Sequence, residues 1–199
     1  MHMSNDEAAK ALKDIEVTTR QIKERLGMGP VGYIVMLWGA VWMVCFALPY
    51  WAPSWNGWGW LIGNSIGFIG TAWLSWKDTR KKDIVSDELK RVGKNIGWMW
   101  GLGVLFANGI LAVMWPWNGM QFGAAIVVML MFMYVMMGLW ANSRFLIFVG
   151  LLVAGLAVAG YFITLVGWLG DSRRFMLWLA LMCGGSMLFS GAYIKLRWR

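Results

Sequence analysis

The sequence predicts an all-α integral membrane protein: a helical bundle of six transmembrane helices arranged as three hairpins, preceded by a cytoplasmic amphipathic helix. Three observations carry that prediction. Of the 199 residues, 59% are hydrophobic and 14% charged, a balance foreign to a water-soluble domain of this length. Six stretches, at about 31–49, 58–76, 95–114, 120–140, 145–167 and 175–194, contain no Asp, Glu, Lys or Arg. Each is close to the roughly 20 helical residues that cross a hydrocarbon core about 30 Å thick. The basic residues are also one-sided: sixteen of the eighteen Lys and Arg lie in residues 1–30, in 77–94, at Arg144 or at Lys195, Arg197 and Arg199, which leaves only Arg173 and Arg174 for the other side.

The positive-inside rule then sets both termini in the cytoplasm. The net charge of +8 is explained by this orientation and by attraction to anionic lipid headgroups, so lipid is an expected partner and nucleic acid is not. Residues 1–30 form the first unit. Ser4 and Glu7 make a capping box, Gly27 suits the position after a last turn and Pro30 follows, so a helix is expected over about 4–26. Ala8, Leu12, Ile15, Thr19, Ile22 and Leu26 advance by four and three residues in alternation, a heptad seam suited to another helix. Its acidic and basic residues balance and the seam has no aromatic anchor, so a protein partner is favoured over a lipid surface: a second copy, a partner helix or this chain's own loop. The helix lacks the pattern of a cleaved signal peptide, and nothing is expected to be removed.

Residues 31–199 form the six-span domain. Many of its sixteen tryptophans fall near span ends, the aromatic belts of a membrane protein. Trp38 and Trp42 do not; they are expected near mid-membrane, packed in the core or lining an aromatic cavity. In the second and third spans, Asn64 and Asn108 lie at similar depth and are expected to clasp across two helices or to line a polar recess. Glycine tracks at Gly59, Gly63, Gly67 and Gly70 and at Gly93, Gly97 and Gly101 predict close helix packing, within one chain or between copies. The loop between these spans, polar and basic, has Ile84, Val85, Leu89 and Val92 at helical spacing and is expected to extend both helices past the membrane.

Internal similarity accompanies this pattern. A shift of 62 residues aligns Trp38-Gly39 with Trp100-Gly101 and Trp55-Asn56-Gly57 with Trp117-Asn118-Gly119; a shift of 121 aligns "GNSIGFIG" at 63–70 with "GGSMLFSG" at 184–191. Cys45 and Cys183 accompany no CxxC or Cys/His cluster and are expected to be small apolar residues. In the fourth span, the MxxxM spacing of Met129 and Met133 resembles part of the high-affinity copper transporter pattern. That family's Met- or His-rich collecting segment has no counterpart here, and His2 is the sole histidine, so methionine is expected to serve packing and no metal or other cofactor is expected.

At "ALKDIEVTTRQIKERL" followed by "LWGAVWMVCF", over about residues 8–50, the chain resembles an uncharacterised group of small bacterial and archaeal multi-pass membrane proteins with a charged helix before a WG-containing first span. The resemblance implies a bacterial or archaeal cytoplasmic (inner) membrane, and, since members of such groups look as though they accompany transcriptional regulators, induction by a stress or compound. With no histidine base in the body, no metal cluster and no phosphate loop, no catalytic residues are expected. The function expected is therefore that of a non-enzymatic membrane interaction or binding protein, self-associating or engaging a partner through helix packing. The alternative is a channel or uncoupled carrier for a small neutral or lipophilic molecule, with Trp38, Trp42, Asn64 and Asn108 along its path.

Overall fold

Pro30 starts the first helix without needing an amide donor, its carbonyl accepting from Ile34 N at 2.9 Å. In the computed structural model, which describes residues 30–80, 87–116, 118–140 and 143–197, helix α1 then runs Val31–Trp51. Pro49 lies in its last turns, and a short 3₁₀ turn, Pro53–Trp55, reverses the chain into α2, Asn56–Arg80. Helix α3 spans Asp87–Val113. Helix α4, Gly119–Trp140, opens with a reciprocal cap: Asn118 Oδ1 accepts from Gln121 N at 2.8 Å and Asn118 N donates to Gln121 Oε1 at 3.2 Å. Ser143 caps α5, Arg144–Leu165, through Leu146 N. Gly167 and Gly170 take φ of 84° and 88°, which L side chains resist, and allow the tight reversal into the last span. That span is α6, Ser172–Trp178, a π-helical segment Leu179–Gly184, and α7, Gly185–Arg197. The heptad-bearing helix 4–26, with Leu12, Ile15, Ile22 and Leu26, lies outside the described residues.

All regular structure among the described residues is helical. Five helices are long and apolar enough to cross a membrane: Val31–Trp51, Lys94–Val113, Gly119–Trp140, Arg144–Leu165 and Ser172–Leu196. This is the pattern of a multi-pass membrane protein. Helix α2 is long enough but is not among the five; its glycines, tryptophans, Asn64, Ser65 and Ser75 dilute the aliphatic content of the stretch at 58–76. The outside of the bundle is apolar, with Ile69, Phe106, Phe189 and Val113 between 70% and 87% exposed, a surface suited to hydrocarbon and costly in water.

The core sits among four of the spans. Trp42, Cys45 and Phe46 of α1 meet Val127, Met131 and Tyr134 of α4, Val149 and Val153 of α5, and Phe175, Leu179 and Cys183 of the last span. The most extensive packing joins α4 to α5 and α1 to α7, so contact does not follow the expected division into three hairpins. Helices α2 and α3 flank this core from outside, α2 against α1 and α3 against α4.

The α1–α7 contact is made backbone to backbone. A Cβ on Gly39 would stand 2.7 Å from Leu188 N and 2.9 Å from the Gly184 carbonyl oxygen; one on Gly191 would stand 2.6 Å from the Gly32 carbonyl oxygen. Glycines seven residues apart on each helix, 32 and 39 against 184 and 191, therefore set the approach. On another part of α1, Gly63 and Gly70 of α2 receive the Cys45 and Leu37 side chains. The 121-residue similarity thus has a spatial counterpart: its first and last glycines, 63 with 70 and 184 with 191, pack the same antiparallel way against α1.

Candidate functional site

Three places among the described residues are candidates for function, two of them holding residues that the sequence singles out. The first is the aromatic column along α1. Trp42 is buried in the core, its ring edge-on to Phe46 at 5.9 Å, and Phe46 meets Trp60 of α2 at 4.8 Å. Trp38 turns toward α2, where its indole N–H donates to Thr71 Oγ1 at 3.0 Å and its ring stands 5.3 Å from Phe68. Gly67 accepts the far edge of that indole, as Gly59 accepts Leu48. Only glycine leaves room for an indole at this separation. Both tryptophans therefore have packing partners.

The second place is the outer face of α3. The clasp expected between Asn64 and Asn108 is corrected by the structure. Asn64 is half-buried, one residue after Gly63, which receives Cys45 of α1, whereas Asn108 is exposed and its amide donates to Val104 O of its own helix at 2.8 Å. Helices α2 and α3 pack on different neighbours, α2 on α1 and α3 on α4, so their asparagines are not brought together as a clasp. Gly97 and Gly101 differ from the α2 glycines in the same way: nothing lies within 4 Å of a Cβ built on either. Helix α3 instead seats Gly103 under the Met133 thioether and buries Ala107 and Leu111. Periodicity alone could not choose between these two glycine lines, because Gly97, Gly101 and Gly103 all lie within two turns.

The third place was not singled out as a site by the sequence. At the end of the bundle away from Lys77, Arg144 and Lys195, the ends of α1, α2, α4 and α6 surround a recess of about 520 Å³. Its apolar floor includes Phe46, Pro49, Trp60, Phe122 and Met176, and its rim carries Asn56, Asn118, Ser172 and Arg173. Asn56 and Asn118 are the central residues of the two Trp-Asn-Gly motifs, so the 62-residue similarity was the available signal; only folding shows that both copies border one recess. Asp171 is directed elsewhere, capping α6 by accepting from Arg174 N at 2.9 Å.

Taken together, the described residues define a multi-pass helical membrane bundle with an apolar core, an uncovered face on α3 and an amphipathic recess at one end. No protein-family model, curated protein or solved structure matches the chain.

Proposed function

We propose that this chain is a non-enzymatic, six-span membrane interaction protein that pairs with a second copy through α3. Both termini lie on the cytoplasmic side, in line with the distribution of Lys and Arg, and the resemblance over residues 8–50 points to a bacterial or archaeal inner membrane. Helix α2 is the sixth span, since it lies antiparallel along α1 and is free of charge from residue 57 to 76.

The observation that carries the reading is the coverage of α3. Only 11% of its apolar window is buried within the chain, against 33–39% for the other four apolar helices. Lipid can cover such a face, but this one is built for a helix. Gly97 and Gly101 are open, and Asn108 lies on the same stripe, because eleven residues are close to three turns. Small residues let two backbones approach, and an asparagine supplies a hydrogen bond worth about 0.6–2 kcal/mol in a membrane. Two copies inserted the same way meet about an axis along the membrane normal, which lays this stripe against its own image in parallel. The seam at Leu12, Ile15, Ile22 and Leu26 offers a second contact between the same two copies.

Multi-angle light scattering in mild detergent tests this directly. The wild-type chain is expected to be a dimer, Gly101→Leu a monomer with unchanged thermal stability, and Asn108→Leu a weakened dimer. A Cys introduced at Gly97 is expected to cross-link between copies in native membranes, where Cys45 and Cys183 are buried. A wild-type monomer together with no cross-link at position 97 would remove the reading.

A further inference from the structure

The recess at the Arg173 end matches a ligand in volume, chemistry and depth. Its volume of about 520 Å³ falls inside the range of roughly 300–1,000 Å³ typical of small-molecule sites. Phe46, Trp60, Phe122 and Met176 give it an apolar floor; Asn56, Asn118, Ser172 and Arg173 give it a polar rim. The polarity of that rim has a sign. Among the described residues that line it, Arg173 is the one charged residue and none is Asp or Glu. Asn118 has its carbonyl oxygen engaged by Gln121 N, so the donor end of that amide is left for the recess. A guanidinium and amide donors above aromatic and thioether walls select an anion attached to an apolar tail. A cation would find no carboxylate partner, and a free inorganic ion would leave the floor unused.

Depth argues the same way, and here the inference rests on the membrane reading above. Around this end of the bundle Trp51, Trp55, Trp58, Trp115 and Trp168 are between 60% and 86% exposed, as indoles at headgroup level are. The rim therefore stands at the lipid–water boundary and the floor reaches toward hydrocarbon. We infer that the recess between α1, α2, α4 and α6 binds a single-chain amphiphile with an anionic head, the phosphate or carboxylate held by Arg173, Asn56 and Asn118 and the chain laid against Phe46, Trp60 and Phe122. Both Trp-Asn-Gly motifs then serve one ligand, each placing an asparagine on the rim.

Isothermal titration of the full chain in a neutral maltoside compares dodecyl phosphate with dodecyltrimethylammonium, which has the same tail and the opposite charge, and with inorganic phosphate. Dodecyl phosphate is expected to bind one per chain and the other two at least tenfold more weakly. Arg173→Gln is expected to lower dodecyl phosphate affinity about tenfold, the loss of one charge-assisted contact. Gly119→Leu is expected to obstruct the recess while leaving the fold intact, since a Cβ there meets only Met176 Cε at 3.8 Å. Native mass spectrometry of freshly extracted protein separates two sources. An anionic single-chain lipid that co-purifies with wild type and is lost from Arg173→Gln identifies a membrane lipid, whereas binding only of added dodecyl phosphate identifies a ligand arriving from solution. Equal binding of the two dodecyl compounds, inorganic phosphate binding as tightly as dodecyl phosphate, or unchanged affinity in a folded Arg173→Gln would overturn the proposal. None of these outcomes depends on whether Gly101→Leu dissociates a dimer, so the two proposals fail separately.

Discussion

Helices α1 and α3 are both apolar, glycine-containing spans of similar length, yet they occupy opposite situations. Helix α1 is enclosed by α2, the last span and the core, and places Trp42, Cys45 and Phe46 where 1–4% of their surface remains exposed. Helix α3 touches α4 along one line and leaves Leu105 and Phe106 about 70% exposed. In lipid, apolarity does not decide between these situations, because a leucine against an acyl chain is as well solvated as a leucine against another helix. What decides is shape: α1 meets glycines on α2 and the last span that admit its side chains and backbone, and among the described glycines of α3 such a place is found at Gly103.

Substitutions that treat the two helices alike should therefore behave differently, and the largest contrast is in the core. Phe175 is fully buried. Phe175→Ala should cost about 3 kcal/mol, the lower end of the range for aromatic truncation because part of the transfer term is absent in lipid. Phe106→Ala on α3 should stay within about 0.5 kcal/mol. Unfolding in mixed micelles measures both, and equal losses would erase the distinction between enclosed and peripheral spans.

A smaller effect tests the backbone approach itself. Gly39→Ala and Gly191→Ala would each place a methyl group within 2.6–2.9 Å of backbone atoms on the facing helix, so each should destabilise by about 1–3 kcal/mol. Gly101→Ala, with nothing within 4 Å, should not alter the unfolding transition of the monomer. The finest test concerns α2. Thr71→Val keeps the side-chain volume but removes the acceptor of the Trp38 indole, and should cost about 0.6 kcal/mol. A much larger loss would show that this one bond, rather than the glycine track, holds α2 in place.

Much of the site geometry rests on the same physical distinction. The pairing of Asn64 with Asn108 was inferred from equal depth, but depth along a helix says nothing about azimuth. Asn64 is half-buried on α2, while Asn108 is exposed on the open stripe of α3. Equal spacing likewise concealed the difference between Gly63, which receives Cys45, and Gly101, which receives nothing. The two Trp-Asn-Gly motifs were visible as a repeat, and yet their meeting at one recess needed α2 and α4 to begin at the same end of the bundle on facing sides.

The amino-acid order alone determined that the chain is helical and apolar, where most of its helices begin and end, and that its basic residues fall between the apolar stretches in an uneven distribution. These are consequences of local chemistry: a run of uncharged residues long enough to span hydrocarbon has to satisfy its backbone internally, and prolines, caps and left-handed glycines end such runs. Which helices touch was decided only by tertiary packing. Among surfaces of nearly equal polarity, neighbours are chosen by the fit of small residues to large ones, and that fit belongs to pairs of helices rather than to any single one.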